Sequence, residues 1–109
     1  MVKIEINKKY LITTDNFFIA PNGEQYNAVF GTVSTVESDE ENLYGNETNM
    51  GYTKWYVVIG NMIVAGDQIH YCIQTDSVLF RPGPKKEMVH EGNLTIAHNT
   101  GSRIYNADA

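Results

Sequence analysis

The run from Gln25 to Val36 constrains the fold more than any other part of the chain. Its side chains alternate: Tyr26, Ala28, Phe30, Thr32 and Ser34 share one face, and Asn27, Val29, Gly31, Val33 and Thr35 the other. A period of two suits a strand and gives an α-helix no apolar stripe. The same period dominates the rest of the chain, so little or no helix is expected. Pro21-Asn22-Gly23 separates this run from Phe17-Phe18-Ile19-Ala20, and Asn and Gly accept the positive φ that a tight hairpin turn needs. Gly31 sits in mid-strand, where a missing side chain costs packing unless the backbone bends. A strongly curved strand follows.

Further strand signals come from Val2 to Ile6 and Tyr10 to Thr13, read as one or two edge strands, and from Tyr52 to Ile73, the richest β segment. Gly60-Asn61 and Ala65-Gly66-Asp67-Gln68 are its candidate turns, the alternative for Gly60 being a bulge in one long strand. Val78-Leu79-Phe80, Asn93 to Ala97 and Arg103 to Asn106 are short strands. Between them, residues 37–51 read as a long acidic loop, with Glu37, Asp39, Glu40, Glu41 and Glu47 among Ser, Asn and Gly. Residues 81–86, Arg81-Pro82-Gly83-Pro84-Lys85-Lys86, read as a Pro/Gly loop, and residues 106–109 as a frayed tail. The expected fold is therefore one all-β domain over residues 1–109. It is a small, strongly bent antiparallel barrel or half-open roll of five to seven strands.

Length and charge narrow the function classes. A chain of 109 residues supports a single modest core. A net charge of −5 is the wrong sign for wrapping duplex nucleic acid or coating an anionic membrane. No apolar run is long enough to span a bilayer as a helix, and the start, Met1 to Lys9, lacks a signal-peptide hydrophobic region, so a cytoplasmic location is expected. The single cysteine, Cys72, excludes an intrachain disulfide. No cofactor is implied, since neither a phosphate-cradling glycine loop nor a dinucleotide fingerprint is present.

Candidate chemistry is thin. His90, Glu91 and His98 flank one short strand but match no metal-ligand spacing, and two solvent-exposed histidines near turns explain them. His70 and Cys72 sit two apart on one strand face, where an imidazole could favour the thiolate; no orienting third group is identifiable, and a half-buried thiol with a hydrogen-bonded histidine is the favoured explanation. His70 with Asp67 or Asp76 is the one anchor for a hydrolase. Aromatic side chains beside cations can stack bases, which singles out Trp55, Tyr56 and Tyr71 with Lys54, His70 and Arg81 as a candidate surface for single-stranded RNA or a small nucleotide-like ligand. Burial in a core or a subunit interface accounts for the same aromatics.

The stretch Phe17 to Val33, with a strand, a polar-Gly turn and a bent strand carrying Gly31, resembles the front half of an Sm-like barrel. The short Ile-Arg-Gly-type strand of that family is absent, and Ile69-His70-Tyr71-Cys72 stands where it would be sought. The resemblance implies a bent antiparallel barrel whose edge strands pair between subunits into a ring, and it carries over no base-contacting Arg. The Asn-rich, acidic composition also resembles that of small bacteriophage or marine microbial proteins. The leading expectation is a non-enzymatic oligomeric interaction or assembly module. The alternatives are the RNA or nucleotide binder and the His70 hydrolase.

Overall fold

The computed structural model describes residues 4–44, 52–82, 88–99 and 103–108. They form nine strands: β1 Lys9–Ile19, β2 Gln25–Tyr44, β3 Tyr52–Ile59, β4 Met62–Ala65, β5 Ile69–Gln74, β6 Ser77–Pro82, β7 Met88–Glu91, β8 Leu94–Asn99 and β9 Ile104–Asn106. The only helical turn among the described residues is a 3-10 turn at Gly66–Gln68. The all-β expectation holds, with more strands than expected.

Hydrogen bonding orders the main sheet β4-β3-β2-β1-β5, with β9 added to β2, while β6-β8-β7 form a second sheet. Most pairs are antiparallel, but β9 runs parallel to β2 and β6 parallel to β8. β4 and β5 lie at opposite ends of the strand order, yet only Gly66–Gln68 joins them. Four inter-strand spacings in a flat sheet would part the ends by roughly 19 Å. A three-residue link in a 3-10 conformation covers roughly half of that. The sheet must therefore curl, and it forms a roll. It does not close into a barrel, because β4 and β5 are not hydrogen-bonded to each other.

The inside of the roll is the core, built from Tyr10, Ile12, Val29, Val33, Val57, Ile59, Val64 and Ala107. Register places these together: Ile12 faces Val29, Val33 faces Ile59, and Val57 faces Val64. β1 lies between β2 and β5, and Leu11, on its other face, is also fully buried. The edge-strand reading of Tyr10 to Thr13 is thus corrected: this is a central strand, covered on both faces. Ile4 to Lys8 lie outside any strand, held by Asn7 N–H to Val33 O and Val33 N–H to Lys8 O.

The β1–β2 hairpin forms as expected. Gly23 takes φ +87°, Gly23 N–H donates to Ala20 O, and Phe18 pairs with Tyr26. The acidic segment is different. Residues 37–44 continue β2, paired with Tyr52 to Tyr56 of β3, while 45–51 lie outside the described residues. A loop was expected because polar composition has weak β propensity; the aromatic and β-branched partner strand supplies what the acidic strand lacks. Likewise Arg81 and Pro82 belong to β6, on a sheet edge where a proline breaks no ladder, while 83–87 are not described.

The tail reading is also corrected. Asn106 ends β9, and Ala107 is buried with its N–H donating to Phe30 O and its carbonyl accepting from Asn61 N–H. Asp108 accepts the Thr32 N–H at 2.9 Å and the Thr32 hydroxyl at 2.8 Å. Gly31 and Gly60 make the space: a side chain at Gly31 would meet Ala107 Cβ at 3.2 Å, and one at Gly60 would overlap the Ala107 carbonyl. What the missing side chain at Gly31 provides is room for Ala107 and Asp108.

Candidate functional site

The roll leaves a seam along β4. Among the described residues the outer edge of β4 has no strand partner and β5 pairs only with β1. The pairing of β5 with β1 stops at Ile69 opposite Thr14, so the distal part of β1 faces the seam without it. Between them lies a half-open cleft of about 120 Å³ lined by Asn16, Phe17, Phe18, Met62, Ile63 and Gln68, among others. Two of its apolar lining side chains stand well out in solvent: Phe17 at 56% and Ile63 at 68% exposure. A cleft of this size holds one large side chain and falls short of the few hundred Å³ usual for a small-molecule site.

Each free end of the rolled sheet presents one large exposed apolar residue, Ile63 on β4 and Tyr71 on β5, the latter 39% exposed. Their orientation follows from register. Val64 is in the core, so its neighbour Ile63 points outward; Cys72 packs on the core opposite Ile12, so Tyr71 points outward. Both stand on the convex face of the roll.

His70 is placed by an irregularity in β5. Tyr71 pairs with Thr13 and Ile69 with Thr14, so His70 is the extra residue of a β-bulge and stands opposite no residue of β1. The bulge aims the ring at Asp15, whose Oδ1 lies 3.0 Å from His70 Nδ1. The expected carboxylates, Asp67 and Asp76, are not its partners. Both members of the His70–Asp15 pair are exposed, and no described hydroxyl or thiol bonds to the ring. Cys72 faces the core beside Ile12, and burial pushes its thiol up to about 11 from 9.0. It stays protonated at neutral pH, which removes the His70–Cys72 nucleophile.

The remaining sequence candidates are dispersed. Trp55 in β3 is half-buried, its indole lying against Gly66, where any side chain would overlap the ring. Tyr56 in β3 is exposed opposite Ala65 of β4. Lys54 pairs with Asp39 in register, and its side chain lies outside the described residues. Arg81 is exposed on β6. The three strands involved, β3, β5 and β6, are not hydrogen-bonded neighbours. His90 Nδ1 contacts the Thr95 hydroxyl at 3.2 Å, and among the described residues no group of three or more His, Cys, Asp or Glu could hold a metal. The His98 side chain lies outside them. No helix among the described residues is long and apolar enough to cross a membrane.

The sequence reading missed Asp15, because its pairing with His70 depends on a bulge. It also missed Phe17 and Ile63 as surface residues, because alternation marks them as ordinary strand positions. Comparison with known protein families, with curated proteins and with solved structures finds no match to this chain.

Proposed function

We propose that this protein is a non-enzymatic assembly module whose copies join head to tail, the β4 edge of one against the β5 edge of the next. The observation that carries this reading is the pair of sheet ends that have no strand partner among the described residues, each with one exposed apolar residue on the same convex face. Antiparallel addition of β5 to β4 would continue the sheet and set Tyr71 of one copy beside Ile63 of another. An aromatic and a β-branched residue side by side across strands contribute roughly 0.2–1 kcal/mol beyond the backbone bonds. A head-to-tail contact closes into a ring or extends into a filament, according to the rotation per subunit. The Sm-like resemblance, which implies rings built by edge pairing, favours the same arrangement.

The test is native mass spectrometry of the wild type, Ile63→Lys and Tyr71→Lys. A lysine on a sheet edge opposes pairing. Each variant alone should be monomeric, because each lacks one of the two surfaces. Mixed in equal amounts they should form a dimer and nothing larger, since the intact β5 of the first still fits the intact β4 of the second. A monomeric wild type, or variants that assemble like it, would sink the proposal.

A further inference from the structure

We propose that Asn22-Gly23 is a latent modification site, a succinimide-forming pair kept unreactive by the hydrogen bonds of the folded hairpin. Both residues are exposed, and Gly23 offers no side chain to hinder attack at its nitrogen. In the reaction the Gly23 backbone nitrogen gives up its proton to solvent and attacks Cγ of Asn22. The new N–Cγ bond forms as the Cγ–Nδ2 bond breaks and ammonia leaves. Water then opens the ring at either carbonyl, giving aspartate or isoaspartate at position 22, with no oxidant or reductant required.

The fold restrains each participant. Gly23 N–H donates to Ala20 O at 2.9 Å, so a carbonyl holds the proton that must be lost. Asn22 Oδ1 accepts from Glu24 N–H at 3.0 Å, and Asn22 Nδ2 donates to the Tyr26 hydroxyl at 2.8 Å. Turning Cγ toward the Gly23 nitrogen breaks the last two bonds. A reaction that needs an aligned approach is slowed by about tenfold for each such contact that must first be released.

The product would not be silent. A carboxylate at position 22 cannot donate, so the Tyr26 hydroxyl must turn to donate to it instead, and the new charge stands two residues from Glu24. The Glu24 carboxylate accepts from Arg103 Nη2 at 2.8 Å, and the Arg103 guanidinium lies 4.9 Å from the Tyr26 ring centroid. Tyr26 in turn packs on Tyr105 of β9 at 5.2 Å. The hairpin turn is thereby wired to the C-terminal strand, and an isoaspartate, which inserts an extra backbone atom, would loosen that connection.

The experiment follows the mass gain at Asn22, from amide to acid, by peptide mapping after incubation at neutral pH. Three samples are compared: the folded protein, the same protein unfolded in urea, and folded Tyr26→Phe, which keeps the ring but deletes the hydroxyl. Folded wild type should react about a hundredfold more slowly than the unfolded chain, and Tyr26→Phe, which lacks one of the two bonds, should fall between them. Equal rates in folded and unfolded wild type, or a Tyr26→Phe rate equal to that of folded wild type, would overturn the proposal. An independent measurement uses Asn22→Asp, which reproduces the aspartate product and its added charge beside Glu24. Its β9 amides should exchange with solvent faster than those of wild type, and unchanged exchange would contradict the link between the turn and the C-terminus.

Discussion

Replacing Gly60 by alanine tests how the C-terminus is held. At φ +54° an L-residue is strained, which costs about 1 kcal/mol relative to glycine. The new methyl would also overlap the Ala107 carbonyl, a backbone group that cannot swing aside like a side chain. The tail must then leave its slot. With it go the bonds from Ala107 N–H to Phe30 O and from Asn61 N–H to Ala107 O, and the two that Asp108 accepts from Thr32. The two Asp108 bonds lie near solvent, and water takes over part of all four once the tail has left, so together they contribute roughly 2–3 kcal/mol. The total, about 3–4 kcal/mol, lowers the melting temperature of a domain this size by roughly 15 °C or more. A double-mutant cycle with a chain ending at Asn106 isolates the cause. In that truncated chain Gly60→Ala should cost only the strain, about 1 kcal/mol, because nothing remains to collide with. Urea unfolding followed by circular dichroism gives all four values. Equal costs in the full and truncated chains would refute the account, since the substitution would then act without the tail.

Gly66→Ala should shift the emission of Trp55, the single indole, and destabilise the fold by a few kcal/mol, since the methyl would overlap a half-buried ring; an unchanged spectrum would count against the packing. Cys72, with its thiol raised to about 11, should react with iodoacetamide at neutral pH about a hundredfold more slowly in the folded protein than in urea, the factor that two pH units represent. For the same reason stability should fall as pH rises from about 9 toward 11, where the unfolded thiol ionises and the folded one does not, and Cys72→Ser should flatten that part of the profile. His70→Ala should change stability by less than about 0.5 kcal/mol, as its contact with Asp15 is exposed on both sides; a larger loss measured by urea unfolding would mean that the bulge depends on the ring.

What the sequence made legible was what alternation and turn chemistry encode locally. The hairpin at Pro21-Asn22-Gly23, the breaks at Gly60 and Gly66, and the strands through Trp55 to Ile59 and Ile69 to Ile73 all follow from neighbours in sequence. What stayed hidden depends on partners distant in sequence. The acidic half of β2 is a strand because β3 lies beside it. The tail is ordered because Gly31 and Gly60, far apart in sequence, leave a slot for Ala107. His70 meets Asp15 because one extra residue in β5 redirects its side chain. No single-strand periodicity carries those facts, and a closed barrel could not be told from a roll without knowing whether β4 and β5 bond to each other.

The distribution of strand partners explains why those two edges stand out. β2 is the longest strand, and one of its sides is served in succession by β9 along Ala28 to Phe30 and by β3 from Val33 onward. The last strand of the chain is committed to that lane, so it is not available to β4 or β5. The edges of the smaller sheet carry guards of the kind that discourage pairing: Arg81 and Pro82 on β6, His90 and Glu91 on β7. β4, with the sequence Met-Ile-Val-Ala, carries no charge and no proline. β5 is interrupted by a bulge at His70 near its start and runs regularly from Tyr71 to Gln74, the stretch that an incoming β4 of four residues matches in length. On the proposed head-to-tail reading, this edge without charge or proline, beside the cleft and matched in length at the opposite end of the same sheet, is where the contact between copies forms.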